Sequence, residues 1–487
     1  MNNTFEMVAK TFQGLEDVLA EELRNLGAEK VEIGRRMVSF EGDLAMLYKA
    51  NLCCRTALRI LKPIYKFTAA DTDALYDAVK QFDWSTVMSL DKTFAIDSVV
   101  NSDEFTHSQF VTYRVKDAIV DWFRDRYGKD KRPGVRLQDA DVMLNVHIAG
   151  ESVTLSLDSS GESLHKRGYR VAQTEAPINE VLAAGIILRS GWRGESPLVD
   201  PMCGSGTFLV EAALIAANIN PGIYRKGFAF ENWNDFDAEL FDSLYNDDSG
   251  EREFNHKIYG ADISPKAVDI AMRNIKSAGV ARYIDLQVKP ISQWTEAPAN
   301  GVIVTNPPYG ERISADDMNG LYETIGNKLK NVFKGYHAWI IGYRKEYFDM
   351  IHLSASTKLP ILNGALECEL REYEIFEGDY KSFRKAGGKI HHGESQPKGR
   401  RNDDRRGAPR NKKNDSRDKF SRDNRPARDT FKKGKEFTPR SEEAAVNENP
   451  LAVRRNEAAL RSIVGRQPSL AKPGVKMRSR NNNNNNK

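Results

Sequence analysis

The chain is poor in cysteine. Its 487 residues hold four, Cys53, Cys54, Cys203 and Cys368, and no Cys-x-x-Cys pair. That is too few for a disulfide framework and offers no zinc-type spacing, so a reducing, cytoplasmic setting without a bound metal is expected. Long apolar runs are also missing. No stretch approaches the ~18 apolar residues that a membrane-spanning helix needs. The start, MNNTFEMVAKTFQ, lacks the apolar centre of a secretion signal. Net charge is nearly absent too, at +4, but this hides a segregation. Residues 381–487 carry 30 Lys and Arg against 12 Asp and Glu, which leaves 42 against 56 for the rest of the chain. An acidic body with a strongly basic tail points to a polyanion, most often nucleic acid.

The tail from about Lys385 has almost nothing to bury, so it cannot offset its ordering entropy and is expected to be disordered. Leu451 to Val464 could form a short helix there. The first 60 residues read as a small α+β unit: a strand in FEMVAK, a helix from Gly14 to Leu26, a hairpin from VEIG and RMVSFEG, then one helix through LAMLYKANLCCRTALRIL. Residues 61–160 read as a second α+β unit. In it TFAIDSVV alternates like a strand, and Gln109–Tyr127 forms an amphipathic helix with a basic face. VMLNVHIAG and SVTLSLD pair across a turn at Gly150-Glu151. From 161 to 384 short apolar runs (PLVD, KIYGAD, YIDLQV, GVIVTN, HAWIIG) alternate with helical stretches, the pattern of a doubly wound parallel α/β sheet. Leu359–Phe376 closes it as a hairpin signalled by Asn363-Gly364.

The run PLVDPMCGSGTFLVEAALIAAN is strand, glycine turn, helix. Asp200 ends the strand, where open α/β sheets bind ligands. Gly204 and Gly206 permit tight curvature, and Thr207 opens a helix whose amides favour a carboxylate. The turn is not a dinucleotide GxGxxG, because Phe208 and Leu209 follow the second glycine. It is not a P-loop, because no Gly-Lys-Ser/Thr follows. Asp262 ends the next strand, where an acid can accept both hydroxyls of a ribose; it could equally cap the helix near Pro265.

GVIVTNPPYGER is the most specific feature. Pro307 and Pro308 fix φ and remove two amide donors directly after a core strand. The carbonyls of Asn306 and Pro307, with the Asn306 side chain, form a stiff set of acceptors suited to an exocyclic amine. Tyr309 supplies a face on which a base can stack, worth roughly 1–3 kcal/mol. Accepting both N–H bonds of a planar amine returns electron density to its nitrogen and aims the lone pair out of the ring plane. The methyl donor then has to approach from above the base, so the target must be flipped out of its stack.

Together these motifs resemble the N-methylating class I S-adenosylmethionine-dependent methyltransferases. DPMCGSGT resembles the glycine motif, GADIS the ribose-binding turn and TNPPYGER the catalytic motif. LHKRGYR, APINEVLAA and GFAFENW extend the resemblance to the THUMP-containing RlmL family, over about residues 1–380. It implies a ferredoxin-like piece (1–60), a THUMP RNA-binding domain (61–160) and a catalytic domain (161–384), ahead of the tail (385–487). It implies S-adenosyl-L-methionine held by Asp200, Pro201, Cys203, Gly204, Gly206, Thr207, Asp262, Ile263 and Asn306. Catalysis would fall to Asn306, Pro307, Pro308 and Tyr309, and the product would be N2-methylguanosine in 23S ribosomal RNA or its assembly precursor. The family's second methyltransferase domain is replaced here by the basic tail, so its activity is expected to be absent. An acid common after the third strand in the family is also replaced, by Lys289-Pro290.

His165, Lys166, Arg167 and Arg170 are candidates for RNA or domain-interface contact, as opposed to a solvated linker. Arg114, Lys116 and Arg312 are RNA-contact candidates. Cys203 is expected to be a small packing residue and not a nucleophile, and Cys368 a core residue. The rivals are a THUMP-containing tRNA guanine methyltransferase, an N6-adenine DNA or glutamine-directed methyltransferase, and a non-enzymatic RNA-binding assembly factor or chaperone.

Overall fold

The structure is a computed structural model that describes residues 4–137, 139–298, 300–310 and 315–376. The basic tail, with the helix expected at 451–464, and Arg312 lie outside the described residues.

The N-terminal part runs β1 (Phe5–Lys10), α1 (Glu16–Asn25), β2 (Glu29–Gly34), β3 (Met37–Gly42), α2 (Leu44–Cys53), β4 (Arg59–Thr68), α3 (Thr72–Gln81), β5 (Thr93–Asn101), α4 (Ser108–Tyr127), β6 (Gly134–Val135), β7 (Val142–Ala149) and β8 (Ser152–Asp158). All its strands join one sheet of order β2-β3-β1-β4-β8-β7-β5-β6. β4 makes this continuity: Leu61 pairs with Val8 of β1, and its far end pairs Thr68 with Ser152 of β8.

One expectation fails here. The spacing predicts a single helix from Leu44 to Leu61, but the helix ends at Cys53 and β4 begins at Arg59. Glu22 of α1 accounts for the break. Its carboxylate accepts the amides of Arg55 (2.8 Å) and Thr56 (3.0 Å), which takes them from the helix ladder. Leu58 then donates to the Lys10 carbonyl at 2.7 Å and starts the zip onto β1. An apolar run long enough for two helix turns is thus used as strand, because tertiary partners for its backbone outweigh local propensity.

The second part continues with α5 (Glu180–Arg189), β9 (Leu198–Asp200), α6 (Thr207–Ala216), α7 (Ala238–Tyr245), β10 (Ile258–Asp262), α8 (Pro265–Ser277), β11 (Ile284–Val288), β12 (Val302–Thr305), α9 (Ala315–Asn331), β13 (His337–Gly342), α10 (Lys345–Asp349), β14 (Thr357–Asn363) and β15 (Leu366–Glu374). Its sheet order is β11-β10-β9-β12-β13-β15-β14, parallel except for β15 and the hairpin it makes with β14. This is the doubly wound α/β architecture. The strand order reverses between β9 and β12, so a crevice opens at their carboxyl ends. The closing hairpin is present with its turn moved by one residue. Asn363 pairs with Leu366, so Gly364 and Ala365 form the turn, and Gly364 takes φ +64°. Asn363 is left in the strand, free to use its side chain elsewhere.

The two parts are packed into each other. Phe228, Phe230, Trp233 and Phe241, from the excursion after α6, join the core that holds Met7, Phe40 and Tyr48. In return Leu15, just before α1, and Val18 within it enter the core beneath α5 and α6. Each buried side chain of this size contributes roughly 1.5–3 kcal/mol, so the N-terminal sheet is held in one orientation to the crevice. Among the described residues no helix is long and apolar enough to cross a membrane.

Candidate active site

Three strand ends meet in the crevice and are stitched together by hydrogen bonds. Thr305, at the end of β12 and next to Asn306, donates its hydroxyl to Asp200 at 2.7 Å. The Cys203 amide donates to the Ala261 carbonyl at 2.9 Å. The Gly204 amide donates to Asp262 Oδ2 at 3.0 Å. The glycine turn, the acidic turn and the Asn-Pro-Pro-Tyr loop, far apart in sequence, are therefore one unit in space.

The turn needs its glycines. Gly204 has φ +53° and Gly206 φ +79°, and a Cβ on Gly206 would sit 3.0 Å from the Ala271 Cβ of α8. That close approach lets α6 begin directly under the crevice. Asp200 is 1% exposed. Burial pushes its carboxyl up to about 7, against the lowering bonds from Thr305 and the Met202 amide. Asp262 is tied at both oxygens, to Gly204 and, through Oδ1, to the Ser264 amide at 2.9 Å. Ser264, not Asp262, caps α8 by accepting from the Ala267 amide. The carboxylate of Asp262 is thus held facing the crevice with lone pairs to spare. Ile263 beside it is 72% exposed, an apolar surface at the strand end. Burial, with Asp200 and Asp262 nearby, pushes the Cys203 thiol well up, so it stays protonated. That suits a packing residue and disfavours a nucleophile. Lys289 turns away: its ammonium lies 4.6 Å from the Trp294 ring, while its amide donates to the Asp262 carbonyl at 2.9 Å.

Asn306 is the informative residue of the Asn-Pro-Pro-Tyr loop. Its Oδ1 is buried and has no hydrogen-bond partner among the described residues. A buried acceptor left open costs about 1–3 kcal/mol, which a ligand donor would recover. Pro307 is buried and Pro308 exposed. Tyr309 is half-buried, with its hydroxyl accepting from Asn363 Nδ2 at 3.0 Å and the Cys368 thiol at 3.8 Å. The closing hairpin therefore fixes the tyrosine ring.

The expected basic stretch before the catalytic sheet is partly corrected. Arg167 is 2% exposed; it pairs with the fully buried Glu211 of α6 at 3.5 Å and donates to the carbonyls of Leu164 (2.9 Å) and Arg55 (2.5 Å). It belongs to the interface between the two parts, with its guanidinium spent on internal partners. Gly168 shows how tight this is: a Cβ there would fall 2.1 Å from the Tyr224 carbonyl. Arg170 braces the glycine turn, donating to Ser205 Oγ (3.0 Å), Thr207 Oγ1 (2.9 Å) and Glu180 (2.6 Å). His165 is half-buried against Ser163, and burial lowers its pKa. Lys166 is exposed and paired with Glu162. A solvated linker is therefore ruled out for Arg167 and Arg170. Arg114 pairs with Asp73 and lies 4.4 Å from the Tyr76 ring; Lys116 pairs with Asp117 at 2.6 Å.

Sequence reasoning passed over four structural partners. Glu211 was the most legible, as the one acid in TFLVEAALIA, a helix otherwise without charge. Arg225 is buried and donates to the carbonyls of Ser160, Glu162, Ser163 and Lys166, clamping the linker. Asn274 of α8 accepts the amides of Val171 and Ala172 and donates to the Ser205 carbonyl at 3.0 Å. Asn363 holds Tyr309. Nothing local marks Arg225 or Asn274, and the sequence marks Asn363 only as a turn residue.

Family models match in three consecutive stretches: an RlmL ferredoxin-like domain over residues 6–61, a THUMP domain over 69–158, and an RMKL-like methyltransferase domain over 167–372. A protein of Synechocystis sp., named "Putative RNA methyltransferase slr0064", is 39% identical over 371 residues, which are 76% of this chain and 96% of that one. The chain belongs to the THUMP-containing, RMKL-like methyltransferase family. A "Ribosomal RNA large subunit methyltransferase K/L" of Syntrophotalea carbinolica is 40% identical over 391 residues, 77% of this chain and 54% of that protein. The chain thus spans about half the length of the K/L relatives it matches. Among solved structures, "SMU.472, a putative methyltransferase complexed with SAH" superimposes with a TM-score of 0.69 at 30% identity. The match covers 78% of this chain and all of that one.

Proposed function

We propose that this methyltransferase moves a methyl group from S-adenosylmethionine to the exocyclic amine of a guanine in large-subunit ribosomal RNA, with the base flipped into the crevice. The observation that carries the reading is the buried, open acceptor Oδ1 of Asn306, one residue from the Thr305–Asp200 bond that ties it to the glycine turn. The SAH in the SMU.472 structure and the ribosomal RNA names of the K/L relatives support the donor and the substrate class.

The residues present fit the donor. Gly204, Gly206 and Thr207 form a close-approach turn at the start of α6, with Pro201 and Cys203 in its wall. Asp262 has spare lone pairs for ribose hydroxyls, and Ile263 offers an apolar face for the adenine. Asp200, at the end of β9, would hold the amino-acid end. When bound, the donor supplies a methyl group already activated on sulfonium, so the protein's task is mostly positioning. Asn306 Oδ1 and the Pro307 carbonyl accept the two hydrogens of the amine. The rigid Pro307-Pro308 step keeps them aimed, and Tyr309 carries the base. Asn306 takes no proton, since a carboxamide does not titrate usefully; the proton leaves the cationic product amine to solvent.

The test is nucleoside mass spectrometry on 23S rRNA from a strain lacking this gene, incubated with the full chain and labelled S-adenosylmethionine. Labelled N2-methylguanosine is expected, and none with Asn306→Ala, whose circular dichroism and urea midpoint should stay those of the folded wild type. Label in tRNA alone would move the substrate, and normal turnover by Asn306→Ala would sink the site assignment.

A further inference from the structure

The cations on α3 and α4 are mostly consumed within the protein. Lys80, Arg114, Lys116, Arg124 and Arg126 each pair with an aspartate. The segment after α4, GKDKRPGVRL at 128–137, differs. Lys129, Lys131, Arg132 and Arg136 are exposed and form no ion pair among the described residues. A single acid, Asp130, lies among them. The segment is held in place by its backbone. Lys131 donates to the Gly128 carbonyl at 2.9 Å, Gly134 to Lys92 at 3.1 Å and Arg136 to Phe94 at 3.0 Å. β6 within it pairs with β5 at the edge of the N-terminal sheet, and Pro133 is buried. Four unpaired cations are therefore displayed on a fixed arm.

The arm ends at Leu137, which is 94% exposed. Leu137, with Asp139 and Met143, lines one side of an open cleft of about 1230 Å³ between the two parts of the molecule. Asn363 and Gly364, at the tip of the closing hairpin, line it too. Asn363 is the residue that holds Tyr309. One path thus runs from the unpaired cations, past an exposed apolar side chain, to the residue behind the catalytic loop.

We propose that the 128–137 arm is the RNA docking surface of the folded body, gripping the phosphate backbone of a strand that then enters the cleft toward Asn306. This rests on the functional reading above and names where its substrate is held. Residues 1–380 carry an excess of acidic side chains, so attraction of a polyanion has to be local, and the arm is where unpaired positive charge gathers. Leu137 presents an apolar surface to a base or ribose at the cleft mouth.

The experiment uses the full chain, tail included, and 23S rRNA from the gene-deleted strain. Binding is measured by filter retention across a salt series for wild type and for Lys129→Ala, Lys131→Ala, Arg132→Ala and Arg136→Ala combined. A control variant of equal charge loss carries Lys30→Ala, Lys276→Ala, Lys330→Ala and Lys334→Ala. Four phosphate contacts at about 0.7–0.9 each predict that the slope of log K against log salt falls by about 3 in the arm variant. The control should keep the wild-type slope. KM for RNA should rise at least about tenfold at 0.1 M salt from the same relation, with kcat and SAH affinity unchanged. A slope and KM equal to those of the control variant would overturn the proposal. Because the arm is read by RNA binding and the crevice by Asn306→Ala turnover, the two assignments fail separately.

Discussion

Arg167→Ala separates an interface role from a surface role. Arg167 and Glu211 are 2% and 0% exposed, and the guanidinium also serves the carbonyls of Leu164 and Arg55. Removing it leaves the Glu211 carboxylate buried with, among the described residues, only the Tyr169 hydroxyl, at 2.9 Å, as a direct partner. Burial already raises the Glu211 pKa even with Arg167 beside it. Truncating one member of a buried pair costs about 3–5 kcal/mol, whereas replacing both by apolar groups of similar volume is often near neutral. Arg167→Ala should therefore lower the urea midpoint strongly. Arg167→Met with Glu211→Leu should recover about 2 kcal/mol or more of that loss. Urea titrations followed by both tryptophan fluorescence and circular dichroism measure this and also show whether the parts unfold together. Wild-type stability for Arg167→Ala, with a selective loss of RNA affinity, would refute the reasoning and return the residue to the RNA surface.

The Asp200 carboxyl stands at about 7 in the fold, above the ordinary 3.8, chiefly through burial. The folded state thus holds a proton that the unfolded chain has released, and stability from this group declines as pH rises from about 4 to 7. Asp200→Asn should flatten that part of the stability profile; an unchanged slope in urea titrations across this range would count against it. If Asn363 acts through the Tyr309 hydroxyl, Asn363→Ala and Tyr309→Phe should each lower kcat, and the double variant should be no slower than the worse single one. Fully additive losses would assign Asn363 to the hairpin alone. Gly206→Ala combines a positive φ with a 3.0 Å approach to Ala271. It should cost about 1–3 kcal/mol of stability and reduce SAH affinity, both readable by calorimetry.

Much of the catalytic sheet was legible in the sequence because its signals are local. A buried parallel strand is a short apolar run, and the turn after β9 needs glycine at φ +53° and +79°. The proline pair after β12 has no other economical use than a stiff loop. Such constraints act within a few residues, so a linear reading finds the strand ends and turns that carry Asp200, Gly204, Gly206, Asp262 and Asn306, which the fold brings side by side. Where the reading failed, the deciding partner was remote. Glu22 of α1 ended the helix at Cys53 by accepting amides 33 and 34 residues away, and Glu211 drew Arg167 out of solvent across 44. A run such as LHKRGYR looks solvated because charge is local but burial is not.

The sequence by itself determined the class of chemistry: the strand–turn–helix unit, the acid after the second strand and the acceptor loop after the fourth. Only the tertiary structure decided which cations are free. Arg167 and Arg225 are spent inside, Arg170 braces the turn, and Arg114 and Lys116 are paired, while Lys129, Lys131, Arg132 and Arg136 remain open on the arm. The physical reason is that a side chain's net charge is written in its own residue. Whether that charge is neutralised depends on which distant backbone and carboxylate groups the fold places within a few ångströms of it.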